Sequence, residues 1–225
     1  MSTEKSDTME KLSKVAILGI SGSGRKGSFN SALLEAAKQL LPPDATLEVV
    51  DVSRLPLYNQ DLEHDIPEVV KEFKKKIRGA DAILFATPEH NYSITAVLKN
   101  AIEWGNRPPR DASWSGKPVA IISASTSLRG GARAQLHLRQ IMIDLNMYPI
   151  NRPQLMVANA REKFSEDLQL TDEESRQTLR DVLSSLCKVD TQTSALTTQL
   201  LSICLSPILG FGYLCPRSRI CLKPA

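Results

Sequence analysis

Cysteine is scarce in this chain of 225 residues, and no cysteine occurs before residue 187. The four that are present match no common zinc-binding pattern, and nothing about them indicates an oxidising compartment. The body of the chain therefore offers no Cys/His nucleophile pair, and no Ser/His/Asp set stands out in it either. The cysteines are Cys187, Cys204, Cys215 and Cys221.

The chain also lacks an apolar stretch near its start. Residues 1–13 are rich in charged side chains, which is not the pattern of a secretory signal. We interpret them as a polar arm and expect a cytoplasmic protein. Hydrophobic residues make up 42% and charged residues 24% of the sequence, which is typical of a globular α/β domain of this length.

An excess of charge is missing from most of the sequence. The net charge is +3, and it arises entirely after residue 186, where four basic side chains face one acidic side chain. The rest of the chain is neutral, so it has no electrostatic footprint for nucleic acid. A neutral body also argues against a strongly acidic electron carrier that docks by charge.

Apolar runs alternate five times with stretches of helical periodicity. This alternation predicts a doubly wound α/β fold, with a five-stranded parallel sheet between two layers of helices, over residues 14–187. Ligands of such sheets bind beyond the carboxyl ends of the strands. The predicted strands are 15–20, 46–52, 82–87, 118–123 and 154–157, and the predicted helices are 31–41, 67–78, 95–104, 132–146 and 171–186.

The segment after the first predicted strand is rich in glycine and hydroxyl groups. Its Gly22-x-Gly24-x-x-Gly27 spacing fits a dinucleotide fingerprint, with Asp51 as the ribose-binding acid. A P-loop is disfavoured because Ser28 stands where that motif requires lysine. The third alternative is a cradle for a terminal phosphate, built from Ser23, Arg25, Ser28 and the start of a helix capped by Asn30. The loop alone leaves the first and third alternatives open, together with a simple solvated Gly/Ser turn that carries a surface arginine.

Three ordered motifs together resemble the NADPH-dependent FMN reductase family, which includes soluble quinone, chromate and azo reductases of flavodoxin-like fold. The resemblance covers about residues 14–186. The motifs are Gly22-Ser23-x-Arg25-Lys26-x-Ser28-Phe29-Asn30, Thr87-Pro88-Glu89-x-Asn91-Tyr92-Ser93 with Leu98-Lys99-Asn100-Ala101-Ile102-Glu103-Trp104, and Gly130-Gly131-Ala132-Arg133-Ala134-Gln135 with Leu138-Arg139-Gln140.

This resemblance implies three groups of FMN-binding residues. The first loop matches the family's phosphate-binding loop, the second lies along the isoalloxazine ring, and Ser125 provides a contact after the fourth strand. Departures from the family pattern are Gly24, His90 in place of a common phenol, and a polar 125–129 segment. The implied residues are Ser23, Gly24, Arg25, Lys26, Gly27, Ser28, Phe29 and Asn30, then Glu89, His90, Asn91 and Tyr92, and Ser125.

The resemblance implies that NADPH or NADH passes a hydride through FMN to a quinone or a similar small acceptor, in a two-electron ping-pong cycle. No side chain is nominated as an acid or a base. The family resemblance also implies a homodimer or a homotetramer. The alternatives are a non-catalytic flavodoxin-like electron carrier and a Rossmann protein that binds NAD(P) without flavin.

The final segment, residues 188–225, does not resemble the family. Residues 191–216 carry no charged side chain, yet a membrane anchor is disfavoured by their many hydroxyl and amide side chains and by Pro207. We expect a divergent tail that packs poorly, with a partner-binding segment as the alternative.

Overall fold

The computed structural model of the protein describes residues 14–204, and in the last helix it describes side chains only as far as residue 189. The chain divides into two compact units, residues 1–191 and 192–225. The described part of the second unit is the helical backbone that ends at Cys204. The predicted polar arm and the end of the predicted tail lie outside the described residues.

Strands and helices alternate along the first unit, as the sequence predicts. The strands are β1 (Val15–Ser21), β2 (Ala45–Val50), β3 (Ala82–Ala86), β4 (Pro118–Ala124), β5 (Tyr148–Pro149) and β6 (Leu155–Val157). The helices are α1 (Phe29–Gln39), α2 (Glu68–Gly79), α3 (Ala96–Asn106), α4 (Ala132–Asp144), α5 (Ala160–Lys163) and α6 (Glu173–Cys204).

All strand pairs in the sheet are parallel, and the strand order is β2-β1-β3-β4-β5. This is the flavodoxin-like order, so the predicted fold class is confirmed. The fifth position is divided between two short strands. Pro118 and Val119 pair with β5, whereas Ile122 to Ala124 pair with β6.

The two faces of the sheet bury two separate apolar cores. Leu84 and Ala86 belong to the core that includes α1 and α6, whereas Ile83 and Phe85 belong to the core that includes α2, α3 and α4. Successive side chains of β3 thus point to opposite faces. Because both faces are covered, the strands read as continuous apolar runs rather than alternating ones. The predicted three-layer arrangement is therefore confirmed.

Two predicted helix ends are wrong. Ser28, not Asn30, caps α1, and its hydroxyl accepts hydrogen bonds from the amides of Asn30 and Ser31 at 3.2 and 3.3 Å. The last helix, predicted to end near Leu186, continues to Cys204, because residues 187–204 contain no proline or glycine to stop it. Between residues 14 and 204, no helix has both the length and the hydropathy to span a bilayer.

Candidate functional site

Three loops meet at the carboxyl edge of the sheet. They follow β1, β3 and β4, which are neighbours in it. Together they line one cleft of about 300 Å³, which is within the range of small-molecule sites. The lining residues are Ser23, Arg25, Ser28, Phe29 and Asn30 from the first loop, Pro88, Glu89 and His90 from the second, and Ala124, Ser125 and Thr126 from the third.

Buried hydrogen bonds fix the start of the first loop. The Gly22 amide donates to the Ala86 carbonyl at 2.8 Å, and the Thr95 hydroxyl donates to the Gly22 carbonyl at 2.6 Å. A Cβ at position 22 would lie 3.1 Å from Oγ1 of Thr87. The chain can therefore pass this close to β3 and to the start of α3 because residue 22 is glycine.

The remainder of the first loop presents hydrogen-bond donors. Arg25 is exposed, and one of its Nη atoms donates to the Gly27 carbonyl at 2.8 Å. Ser28 accepts two amide hydrogen bonds at the start of α1, so its hydroxyl hydrogen is available to another acceptor. Several main-chain amides of the loop donate to no acceptor within residues 14–204: Gly24, Lys26, Gly27, Ser28 and Phe29. Such a donor set suits a phosphate at a helix N-terminus.

Asn30 is buried, and its side chain joins the first loop to the third. Its Nδ2 donates to the Ala124 carbonyl at 2.9 Å, and its Oδ1 accepts from the Ala124 amide at 3.0 Å. Both polar atoms of the Asn30 side chain are thus hydrogen-bonded to the last residue of β4. Asn30 lines the cleft, but its hydrogen bonds link the walls to each other.

The second loop forms a tight turn. The His90 amide donates to the Ser93 carbonyl at 3.0 Å, and the Ser93 amide donates back at 2.9 Å. The two central residues, Asn91 and Tyr92, have φ values of 48° and 68°, as a type I′ turn requires. Their amides, like that of Glu89, donate to no acceptor in the described part of the chain. The loop can therefore offer amide donors to a bound ring.

The predicted ring-contacting residues do not all lie in the same cleft. Glu89 and His90 line it, whereas Asn91 lines a neighbouring cavity of about 500 Å³ that His90 also borders. Tyr92 is 64% exposed. His90 thus lines both spaces.

The Glu89 carboxylate is turned toward α4. It accepts from the Arg133 amide at 3.1 Å and from Nε of Arg133 at 2.6 Å, and a second guanidinium nitrogen also contacts it. Burial raises the pKa of Glu89, but the Arg133 hydrogen bonds and charge outweigh burial, so the pKa lies below its usual value. Glu89 is therefore a paired carboxylate rather than a general acid.

The third loop is held by β6 and by α4. The Ser125 amide donates to the Val157 carbonyl at 2.9 Å, and the Ser125 and Ser127 hydroxyls are 3.0 Å apart. Gly131, with φ of 90°, begins α4 so close to β4 that a Cβ there would lie 2.8 Å from Cβ of Ser123. The buried Gln135 side chain then donates to Ser123 at 2.7 Å and to the Leu155 carbonyl at 2.8 Å. These contacts explain Gly131 and Gln135 of the third motif.

The second motif also contains residues that support the fold. Trp104 is fully buried, and its indole donates to the Pro56 carbonyl at 2.8 Å. Asn100 donates to the same carbonyl at 3.0 Å and accepts from the Tyr58 amide at 2.7 Å. These side chains fix the loop after β2. Trp114, the other tryptophan, is also fully buried.

The sequence patterns assigned no role to Arg133, although it lies within the motif that begins at Gly130. Its guanidinium also lies over the Tyr92 ring, 3.4 Å from the centroid. Its position in the third motif is the signal that could have identified it. Its partner Glu89 lies 44 residues away along the chain, so no local pattern indicated the pairing. Asp51, the acid of the dinucleotide alternative, instead caps a turn by accepting from the amide and hydroxyl of Ser53 at 2.9 and 2.6 Å.

The residues of the first loop fit FMN by their chemistry, since unpaired amides, a guanidinium and a capping hydroxyl at one wall of the cleft form a donor set that suits a terminal phosphate. Comparisons with known proteins agree. Residues 15–162 match the model of the family described as NADPH-dependent FMN reductase. The chain is 47% identical over 173 residues to an NAD(P)H-dependent FMN reductase of Pseudomonas aeruginosa, covering 76% of this chain and 93% of that protein.

Two further relatives support this result. An NAD(P)H:quinone oxidoreductase of Solanum tuberosum is 46% identical over 179 residues, covering 76% of this chain and 91% of its own. The solved structure of the flavoenzyme NAD(P)H:(acceptor) oxidoreductase of Paracoccus denitrificans superposes with a TM-score of 0.74 at 31% identity, covering 79% of this chain and 98% of its own. The chain therefore belongs to the NADPH-dependent FMN reductase family.

Proposed function

We propose that the protein is an FMN-dependent oxidoreductase that uses NADPH or NADH to reduce quinones or similar small acceptors by two electrons. The observation that carries this proposal is the cleft that loops after β1, β3 and β4 line together. Family membership and relatives named for FMN and quinone reduction support it. The dinucleotide alternative is weakened because Asp51 is engaged in its own turn.

The first loop binds the FMN phosphate in this proposal. Arg25 supplies a charged fork, the Ser28 hydroxyl donates one hydrogen bond, and the unpaired amides of residue 24 and residues 26–29 supply the rest. A terminal phosphate carries between one and two negative charges at neutral pH. One arginine and a helix N-terminus are in proportion to that charge.

The second loop orients the ring. The unpaired amide of Glu89, which lines the cleft, and those of Asn91 and Tyr92, in the turn that follows it, would donate toward its polar edge, where they stabilise negative charge. The bound FMN supplies the chemistry of hydride acceptance and donation. The chain supplies position and polarity, and one face of the bound ring left open would admit reductant and acceptor in turn, so that no separate dinucleotide loop would be needed.

We also propose a homodimer or a homotetramer. Leu136 and Ile143 lie seven residues apart on α4 and are 61% and 79% exposed, and Tyr148 beyond the helix is 47% exposed. Exposed apolar side chains on one helix face favour a protein partner. Light scattering of the purified protein measures the mass directly, and a monomer at micromolar concentration contradicts this part of the proposal.

The decisive experiment is the visible spectrum of the purified protein with its bleaching by NADPH without oxygen. We expect a yellow protein that is bleached by NADPH and recovers its colour on addition of a quinone. The variant pair is Arg25→Gln with Ser28→Ala, and the control is Arg110→Gln, an exposed arginine outside the cleft. The control keeps FMN, whereas the double variant loses affinity by about tenfold or more.

A colourless protein whose melting temperature and fluorescence do not respond to FMN contradicts the proposal. Retention of FMN with no oxidation of NADPH in the presence of quinones supports the electron-carrier alternative instead. Unchanged FMN affinity in the double variant shows that the phosphate binds elsewhere.

A further inference from the structure

The turn after β3 holds an unfavourable backbone conformation. Asn91 and Tyr92 both have positive φ, at 48° and 68°. Asparagine tolerates this region, but a tyrosine there brings its Cβ too close to the carbonyl oxygen. Such a residue persists only where its surroundings hold it in place.

Arg133 contacts Tyr92 in this turn and Glu89 just before it. Its amide and guanidinium hold the carboxylate of Glu89, which precedes the turn. Its guanidinium also covers the ring of Tyr92, 3.4 Å from the centroid. The Glu89 side chain is only 10% exposed, and that of Arg133 is 28% exposed, so solvent screens this pair incompletely.

Arg133 is itself fixed by the fold. It is the second residue of α4, and the helix begins directly after Gly130 and Gly131. Gly131 lies against Ser123 of β4, and two residues beyond Arg133 the buried Gln135 side chain also donates to Ser123. The backbone of Arg133 is therefore held from the sheet, and its guanidinium reaches from this fixed position to Glu89 and Tyr92.

We propose that Arg133 is a positioning residue that holds the turn in the conformation that receives FMN. This inference rests on the proposed function. The amides of Asn91 and Tyr92 have no acceptor in the described chain, and their direction depends on the two positive φ values. Without Arg133, Tyr92 relaxes to a negative φ, and both amides turn away from the ring. Lysine cannot replace it, because only a planar fork both pairs with Glu89 and stacks on Tyr92.

The test measures the Kd for FMN by quenching of flavin fluorescence, so it does not depend on turnover. Arg133→Gln and Arg133→Lys are each expected to raise the Kd about tenfold. The matched control is Arg139→Gln, on the same helix. The Arg139 guanidinium donates hydrogen bonds to the Ile150 carbonyl and to the Asn151 side chain, and not to the turn. The control is expected to stay within about threefold of the wild type.

Tyr92→Gly separates positioning from a general loss of stability. Glycine adopts a φ of 68° without strain, so the turn would keep its conformation without the contacts of Arg133. In the Tyr92→Gly background, Arg133→Gln is expected to raise the Kd by less than about threefold. Far-UV circular dichroism of each apoprotein confirms that the variants compared are folded.

The same tenfold penalty in both backgrounds overturns the inference, because Arg133 would then act without the strained turn. Wild-type affinity in Arg133→Lys overturns it as well, since charge alone would suffice. Failure of the wild-type protein to bind FMN refutes the proposed function. Tight binding by the wild type with unchanged affinity in Arg133→Gln refutes only the role of Arg133.

Discussion

Replacing Asn30 with alanine tests whether one buried amide joins two walls of the cleft. Asn30 is 3% exposed and makes two hydrogen bonds to the main chain of Ala124, at 2.9 and 3.0 Å. In Asn30→Ala both are lost, and the amide and carbonyl of Ala124 remain at the end of a buried strand without that partner. Alanine has the better helix propensity, which offsets only a few tenths of a kcal/mol.

The expected cost follows from these two bonds. A hydrogen bond contributes about 0.5–1.5 kcal/mol net, and a buried group left without a partner costs about 1–3 kcal/mol. Water entering the cleft can satisfy part of this loss. We therefore expect Asn30→Ala to lower the free energy of unfolding by about 3 kcal/mol, which for a domain of this size lowers Tm by about 6–12 °C.

Urea unfolding followed by far-UV circular dichroism, with and without FMN, measures this effect. The control is Asn59→Ala, an exposed asparagine whose Oδ1 accepts one amide hydrogen bond from Asp61 at 3.0 Å. That variant is expected to cost about 1 kcal/mol or less. If Asn30→Ala unfolds within about 0.5 kcal/mol of the wild type, the two bonds do not hold the cleft together and the reasoning is wrong.

Two other substitutions test how the fold supports the site. Gly105→Ala is expected to destabilise the protein by about 3 kcal/mol, because the new Cβ would lie 2.3 Å from the buried Trp114 indole. The control is Gly79→Ala, because a Cβ at that position meets open space. Thermal unfolding is expected to show that this control is more stable than the wild type by about 0.5–1 kcal/mol. Burial raises the pKa of Asp111, but hydrogen bonds from the buried Lys74 and other groups outweigh burial and hold the pKa below its usual value. The stabilisation is therefore present above the unfolded-state pKa and is lost as pH falls through the folded-state pKa. Asp111→Asn should show a weaker loss of stability in acid, and an unchanged acid limb contradicts this assignment.

The sequence alone determined the layers of the fold and the edge that carries the cleft. Runs such as residues 15–20 and Ala82–Ala86 are continuously apolar because both faces of their strands are covered. Parallel strands place their following loops at one edge, so local patterns sufficed to bring the Gly22 and Pro88 loops together. The divided fifth position was not evident, because Tyr148–Pro149 is too short to give a periodic signal.

Tertiary contacts decided the roles of individual site residues. Ser28 and Asn30 are both good capping residues. Because the Asn30 side chain is hydrogen-bonded to Ala124, 94 residues away, it is Ser28 that caps the helix. The family resemblance implies that Glu89 lies along the flavin ring, and Glu89 does line the cleft, but only the fold shows that Arg133 of α4 holds its carboxylate. Local periodicity reports which face of an element is buried, whereas a partner for a buried polar group is set by which distant elements the fold brings within hydrogen-bond distance.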